Sequence, residues 1–335
     1  MRKRTLLLLT AVCLLTAALS ACGSEFVPSG HLRLNGKDVE TDWVIKLDGE
    51  EISADEYRYF FMNVAHEYTY TAEGEYEWTE ADNEAVLGAA LEYAVLNKAM
   101  FDLAEGFGLT VDEADLERIE DTIKETKAGF GDKAEFIEVL ASNYITEEYY
   151  PTLLQSTVIQ EKLSEYLTGE NGVYAVTKEG IVDIIMEDYI CVRYLKLSPD
   201  AEGSTENRDK MAGFAADIKA AEDLITLINL YSEEVTMKNN PDGRYITEGL
   251  VDGELISAAR ALSVGEISPV VSCESGYYIV LRLPMDEGYI AKNADAFIQT
   301  YHNQVVKELL AAESADTLVE YNEDIYGKIN VWDME

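Results

Sequence analysis

Between Tyr57 and Leu163 apolar residues recur every three or four positions, and at Tyr189 that rhythm gives way to the run Tyr189-Ile190-Cys191-Val192-Arg193-Tyr194-Leu195-Lys196-Leu197. A 3.6-residue period builds amphipathic helices, whereas a β-branched and aromatic run builds a buried strand. The chain must therefore fold as a helical part followed by a mixed α+β part. The helical rhythm returns near the C-terminus, where Phe297, Tyr301, Val305 and Leu309 are spaced four apart.

The helical part is punctuated by caps and turns. In Val44 to Ser53 two short β-type runs flank Asp48-Gly49, a dipeptide suited to a tight hairpin. Ser53 is placed to cap a helix whose apolar side is Tyr57, Phe60, Phe61, Val64 and Tyr68. A second helix carries Val86, Ala90, Tyr93, Leu96, Met100, Leu103 and Phe107 and stops at Gly108. Thr110 with Glu113, and Asp132 with Glu135, have capping-box spacing and open two more. Thr146 opens a fifth, with Pro151 tolerated in its first turn, running through Val158 and Leu163. Residues 44–185 form a helical lobe on this reading.

Residues 186–286 form the α+β part. The strand at Tyr189 ends at Ser198-Pro199-Asp200; two helices fit between Glu206 and Tyr231; a loop covers Asn239 to Gly243. A short helix, Glu254 to Leu262, precedes strands at Ser268 to Ser272 and Tyr277 to Leu283, joined by Glu274-Ser275-Gly276. The final helix cannot bury its stripe alone, so residues 287–335 are expected to dock back onto the helical lobe, with Ile325 to Val331 as a terminal strand. The fold class is thus α+β: a discontinuous helical lobe, made of N-terminal helices plus a C-terminal helix, with an inserted α+β domain.

Ahead of all this, Arg2, Lys3 and Arg4 precede an uncharged apolar run from Leu6 to Leu19 that ends in small residues, the order of a secretory signal peptide and too short for a membrane span. Leu19-Ser20-Ala21-Cys22 resembles a bacterial lipobox, which implies removal of residues 1–21 and lipid on the Cys22 sulfur. Residues 22–43 are polar, without sustained period, and read as a tether. The expected location is the extracytoplasmic face of the cell membrane, with two acyl chains of a diacylglyceryl group sufficient for stable retention. With 26 Lys+Arg against 64 Asp+Glu the chain repels nucleic acid and anionic lipid, so neither is an electrostatic partner. Cys191 and Cys273 fix no disulfide framework and leave a bridge open; no metal is expected from His31, His66 and His302, which lack a neighbouring ligand at metal spacing.

Ala261-Leu262-Ser263-Val264-Gly265-Glu266-Ile267-Ser268-Pro269-Val270-Val271, followed by Gly276-Tyr277-Tyr278-Ile279-Val280, resembles the last helix and hairpin of parvulin (PpiC-type) peptidyl-prolyl isomerases; Val192 to Leu197 and Leu230-Tyr231-Ser232 resemble that family's first strand and the end of its second helix. The helical lobe, through Asp48-Gly49-Glu50-Glu51-Ile52-Ser53, Gly108 to Leu116 and Ile145 to Tyr150, is similar to the N-terminal domain of SurA- and PrsA-type extracytoplasmic foldases. The resemblance implies a chaperone or foldase that binds unfolded, proline-containing secreted polypeptides and, in many members, speeds rotation about X–Pro bonds without a cofactor. Its polar centre implies two histidines and a Cys or Asp. Tyr194, Tyr278 and Glu234 stand at those positions here, and Leu255, Arg260 and Val251 stand at the proline-pocket positions. A free tyrosine does not titrate near neutrality, so the site reads as degenerate and binding is expected over catalysis. Two alternatives stay open: an active isomerase using Tyr194, Tyr278 and Glu234, and a structural envelope lipoprotein with one dedicated partner.

Overall fold

The structure, a computed structural model, describes residues 30–34, 37–39, 41–70, 76–201 and 203–333. The leader, the lipobox and Cys22 lie outside them. The described residues fall into two units, 174–308, and 30–173 together with 309–333. No helix among them is long and apolar enough to cross a membrane.

The first unit in the chain begins with β1 (Arg33–Leu34), β2 (Lys37–Asp38), β3 (Ile45–Leu47) and β4 (Glu50–Ile52). The expected tether is therefore partly built into the lobe: β1 pairs with β2, Leu32 is 5% exposed, and the buried Arg58 guanidinium donates to the Gly30 carbonyl at 2.9 Å. The Asp48-Gly49 hairpin forms as its sequence demands, with β3 antiparallel to β4 and positive φ at both turn residues.

Five helices follow: α1 (Ala54–Tyr70), α2 (Glu80–Gly106), α3 (Glu113–Ala128), α4 (Lys133–Ser142) and α5 (Tyr150–Thr168). The Ser53 hydroxyl accepts from the Glu56 amide, and Tyr57, Phe60, Phe61 and Val64 of α1 are buried with Val86, Ala90 and Ala94 of α2. The alanines let the two helix backbones approach. One cap differs from expectation: Asp112 with Asp115, not Thr110 with Glu113, closes the reciprocal box of α3. Lys162 of α5 explains the shift, since its ammonium binds both Asp112 and Asp115 as well as the Thr110 carbonyl, and so anchors the two carboxylates as acceptors at the helix start.

The second unit contains α6 (Lys178–Asp188), β5 (Ile190–Leu197), α7 (Glu206–Asp217), α8 (Ala221–Tyr231), β6 (Arg244–Ile246), α9 (Gly253–Ala261), β7 (Val271–Cys273), β8 (Gly276–Leu283), α10 (Glu287–Lys292) and most of α11 (Ala294–Ser314). Its antiparallel sheet has the order β6-β5-β8-β7. Tyr194, Leu195, Ile279 and Val280 form its centre, covered by Met211 of α7, Leu224 and Ile228 of α8, and Leu255, Ile256 and Ala259 of α9. The sequence reading had placed α6 in the lobe and the α11 stripe against the lobe. Instead Ile181 and Ile185 of α6 pack with Tyr189, Tyr245 and Ile290, and Phe297 and Tyr301 of α11 join that cluster. The unit boundaries consequently fall at 173/174 and 308/309 rather than at 185/186 and 286/287.

The chain nevertheless completes its first unit last. β9 (Val319–Tyr321) adds to β3 as a third strand, and Ile329 and Val331 are buried in the α1–α2 core, where the Tyr326 ring meets Tyr57 edge-on at 5.8 Å. The expected terminal strand at Ile325 to Val331 is two single 3₁₀ turns instead, and the strand lies slightly earlier. The helical lobe is discontinuous, with the α+β unit inserted in it.

Candidate functional site

Register decides which side chains of the small sheet meet. Tyr194 of β5 lies opposite Val280 of β8, and Lys196 of β5 opposite Tyr278. Directly opposed residues share a face and alternate residues of one strand share a face, so Tyr194 and Tyr278 lie diagonally on the same side. Their rings meet edge to face with centroids 5.4 Å apart, an arrangement aromatic quadrupoles favour.

Each phenol has its own partner. Arg244 of β6 donates from Nη1 to the Tyr194 hydroxyl at 2.7 Å. The Tyr278 hydroxyl is 2.6 Å from Ser275 Oγ, and Ser275 in turn donates both its hydroxyl and its amide to the Asp252 carboxylate, the amide at 3.0 Å. Burial pushes the Tyr194 phenol upward, with the Arg244 charge opposing. Burial likewise pushes Tyr278 up to about 12; the Ser275 hydrogen bond opposes this, and the Asp252 and Glu234 charges add to it. Both hydroxyls therefore stay protonated at neutral pH, as hydrogen-bonding groups that do not ionise there.

Of the positions singled out in the sequence, Tyr194 and Tyr278 come together, and Glu234 lies just beyond α8 within electrostatic range of both, its carboxylate accepting from the Thr236 hydroxyl at 2.7 Å. Val251 is partly buried against the same core. Leu255 is only 2% exposed and belongs to the core beneath α9, so its side chain presents no surface to a ligand. Arg260 departs furthest from expectation. Five residues along α9 from Leu255 it points the other way, to the Asp188 carbonyl at 3.2 Å and the Glu248 carboxylate at 3.2 Å. The tyrosines themselves are 1% and 4% exposed. Cys191 and Cys273 are both free thiols.

No sequence signal marks Arg244, Ser275 and Asp252 as neighbours of the tyrosine pair, Ser275 being read only as a turn residue. Ser275 sits at a hairpin tip and Arg244 on a three-residue strand, so neither carries a periodic signal; only the pairing of β6 with β5 reveals Arg244.

Two family models match this chain: the SurA-like N-terminal domain over residues 1–164 and the PPIC-type PPIase domain over residues 191–283. The chain joins a SurA-like domain to a parvulin domain. The parvulin match begins within β5 and ends with β8, so Tyr194, Glu234, Arg244 and Tyr278 all lie inside it. Among solved structures, the chain resembles the peptidylprolyl isomerase PrsA of Bacillus anthracis at 15% identity, over 67% of this chain and 94% of that one, with a TM-score of 0.39. It also resembles the foldase PrsA of Streptococcus pneumoniae at 17% identity, over 86% and 99%, with a TM-score of 0.29. A SurA-like chaperone of Campylobacter jejuni matches at 12% identity, over 84% and 100%, with a TM-score of 0.29. No curated protein matches the chain. The assignment rests on the two family models, a SurA-like N-terminal domain followed by a PPIC-type peptidyl-prolyl isomerase domain.

Proposed function

We propose that this SurA- and parvulin-bearing chain is a membrane-tethered extracytoplasmic chaperone that binds unfolded secreted polypeptides, and that its parvulin domain binds them without appreciable isomerase turnover. The observation that carries the second part is the enclosed Tyr194–Tyr278 pair, 5.4 Å apart, with one phenol held by Arg244 and the other by Ser275. Rotation about an X–Pro bond has a barrier of about 18–20 kcal/mol, and a catalyst must relieve amide conjugation in a pocket that reaches the proline. Two phenols packed into the sheet core, beside a Leu255 equally enclosed, hold the fold together, which supports binding over turnover. Extracytoplasmic work is supported by the leader and by Leu19-Ser20-Ala21-Cys22, and the acidic exterior keeps a client-loaded chaperone soluble.

A protease-coupled assay with proline peptides, run beside an aggregation assay with a reduced, unfolded secreted protein, tests the reading. The expected result is suppressed aggregation with isomerisation at the buffer rate. Turnover well above buffer that disappears in Tyr194→Phe/Tyr278→Phe would establish the isomerase instead.

A further inference from the structure

Lysine and arginine are spread along the whole chain with one long interruption. Between Arg58 and Lys98 there is none, the longest such interval in the sequence, and eight Asp or Glu fall inside it. The interval covers most of α1 and α2. The cations at its two ends are engaged outside it: Arg58 with the Gly30 carbonyl at 2.9 Å and the Tyr144 ring, Lys98 with Asp102 at 2.6 Å. The carboxylates inside it meet neutral donors instead. Glu67 accepts from the Tyr93 hydroxyl at 3.3 Å, Asp82 accepts from the Thr79 amide at 3.0 Å and hydroxyl at 2.7 Å and also from the Tyr76 hydroxyl, and Glu77 and Glu80 stand exposed. Like charges held together without a counter-charge repel one another, so a cation arriving here is attracted by all of them.

The same interval carries a cluster of rings. Tyr68, near the end of α1, lies 5.9 Å from Trp78 and 6.3 Å from Tyr76, and Tyr76 lies 4.7 Å from Trp78, centroid to centroid. Tyr68 and Trp78 rest on the α1–α2 core, and all three rings are half-buried, so part of each stays in water. Asp82, bonded to Tyr76, and Glu77, between Tyr76 and Trp78 in the chain, set carboxylates beside them. The histidine of the interval, His66, meets the Tyr70 and Tyr144 rings. A ring face is electron-rich and attracts an ammonium or guanidinium within about 6 Å, tryptophan most strongly. The lobe already shows this combination elsewhere: the Lys46 ammonium is 4.7 Å from the centre of the Trp43 ring and 2.7 Å from the Glu51 carboxylate.

We propose that Tyr68, Tyr76 and Trp78, with Glu77 and Asp82, form a docking surface for Arg- or Lys-bearing segments of unfolded clients, the cation lying on the rings and its alkyl stem along their edges. This rests on the client-binding reading above and names the client chemistry. Charge complementarity selects the occupant: an acidic segment is repelled, an uncharged one gains the ring contact alone, and a basic one gains ring and carboxylate together. Arginine is favoured over lysine, since its planar, weakly hydrated guanidinium stacks on an aromatic face while its fork reaches a carboxylate.

Fluorescein-labelled Gly-Ser-Arg-Phe-Arg-Ser-Gly and its Lys, Gln and Glu counterparts are titrated against the full chain by anisotropy, at low salt and at about 0.5 M salt, where attraction between exposed charges is largely screened. At low salt the Arg peptide is expected to bind about tenfold more tightly than the Gln peptide, the combined effect of a cation–π contact and an exposed ion pair, with the Lys peptide between them and the Glu peptide weakest. Trp78→Leu should remove most of that preference and Trp78→Phe should keep most of it. Glu77→Gln/Glu80→Gln should cut it about threefold, while Glu117→Gln/Glu120→Gln, which takes the same charge from an exposed stretch of α3, should leave it intact. Equal loss in the two double variants would mean that only the overall acidity attracts peptide, and overturns the surface. Equal binding of the Arg and Gln peptides, or a preference that survives Trp78→Leu in a chain that still melts cooperatively, overturns it too; if Trp78→Leu does not fold, the comparison of the two double variants decides. Failure of every peptide to bind while aggregation of an unfolded protein is still suppressed also overturns it and leaves the chaperone reading standing. Failure of both measurements overturns both.

Discussion

Burial at one carboxyl makes the lobe sensitive to pH. Glu56, in the first turn of α1 beside Tyr149, is pushed up to about 7 by burial. Unfolded glutamate titrates near about 4.3. Below that pH both states are protonated; between roughly pH 4.3 and 7 the unfolded chain has lost its proton and the folded one has not, so stability falls as pH rises, and the loss is complete above about pH 7. Glu56→Gln is expected to leave the lobe unchanged near pH 4 and to stabilise it by about 2 kcal/mol at pH 8, measured by denaturant titration at the two pH values. An equal shift at both would mean that the carboxyl does not ionise on that schedule. At this scale the motif around Tyr194 and Tyr278 put the two residues on adjoining strands, where they meet, and nothing in the sequence pointed to Arg244. The role of Arg244 arises from a strand pairing with β5 at a sequence separation of 50 residues, which no local pattern encodes.

The hairpin between β7 and β8 depends on one residue. Gly276 has φ +133°, and a Cβ there would lie 2.1 Å from the Leu197 carbonyl oxygen, a backbone atom that cannot swing aside. Gly276→Ala should therefore destabilise the parvulin domain by more than about 2 kcal/mol, through an unfavourable backbone region and a steric clash together, seen as a lower midpoint in tyrosine fluorescence; an unchanged midpoint would mean the hairpin can relax. Elements with strong local signals were legible: the Asp48-Gly49 hairpin, the α1 and α2 stripes, β5 and β8. Those that form only through tertiary contact were not. β6 has three residues after a loop, β9 has three residues, and α6 continues the helical rhythm of the lobe while packing on Tyr189 and Ile290 of the other unit. Periodicity reports that a segment is helical and is silent about which core it joins.

For the molecule as a whole, the proposal that lipid on Cys22 holds it at a membrane has a direct check. With so acidic a surface, attachment through charge is unfavourable. Cys22→Ala is expected to move the chain from the membrane to the soluble fraction and to abolish fatty-acid labelling; retention of the variant at the membrane would point to another anchor. The distance available to that anchor is short, since Gly30 already packs against Ile145 and Thr146, with its carbonyl held by Arg58. Seven residues separate Cys22 from Gly30, a reach of at most about 25–30 Å even when fully extended.

The bond between the Leu318 amide and the Asp48 side chain spans 270 residues. Closure of the three-stranded sheet, and burial of Ile329 and Val331, must therefore wait until residues 319–331 have been made, whereas residues 174–308 precede them in the chain. A chain that stops short of Val319 would thus leave β3 without its outer partner and α1 and α2 without Ile329 and Val331, the earliest elements made lacking the latest.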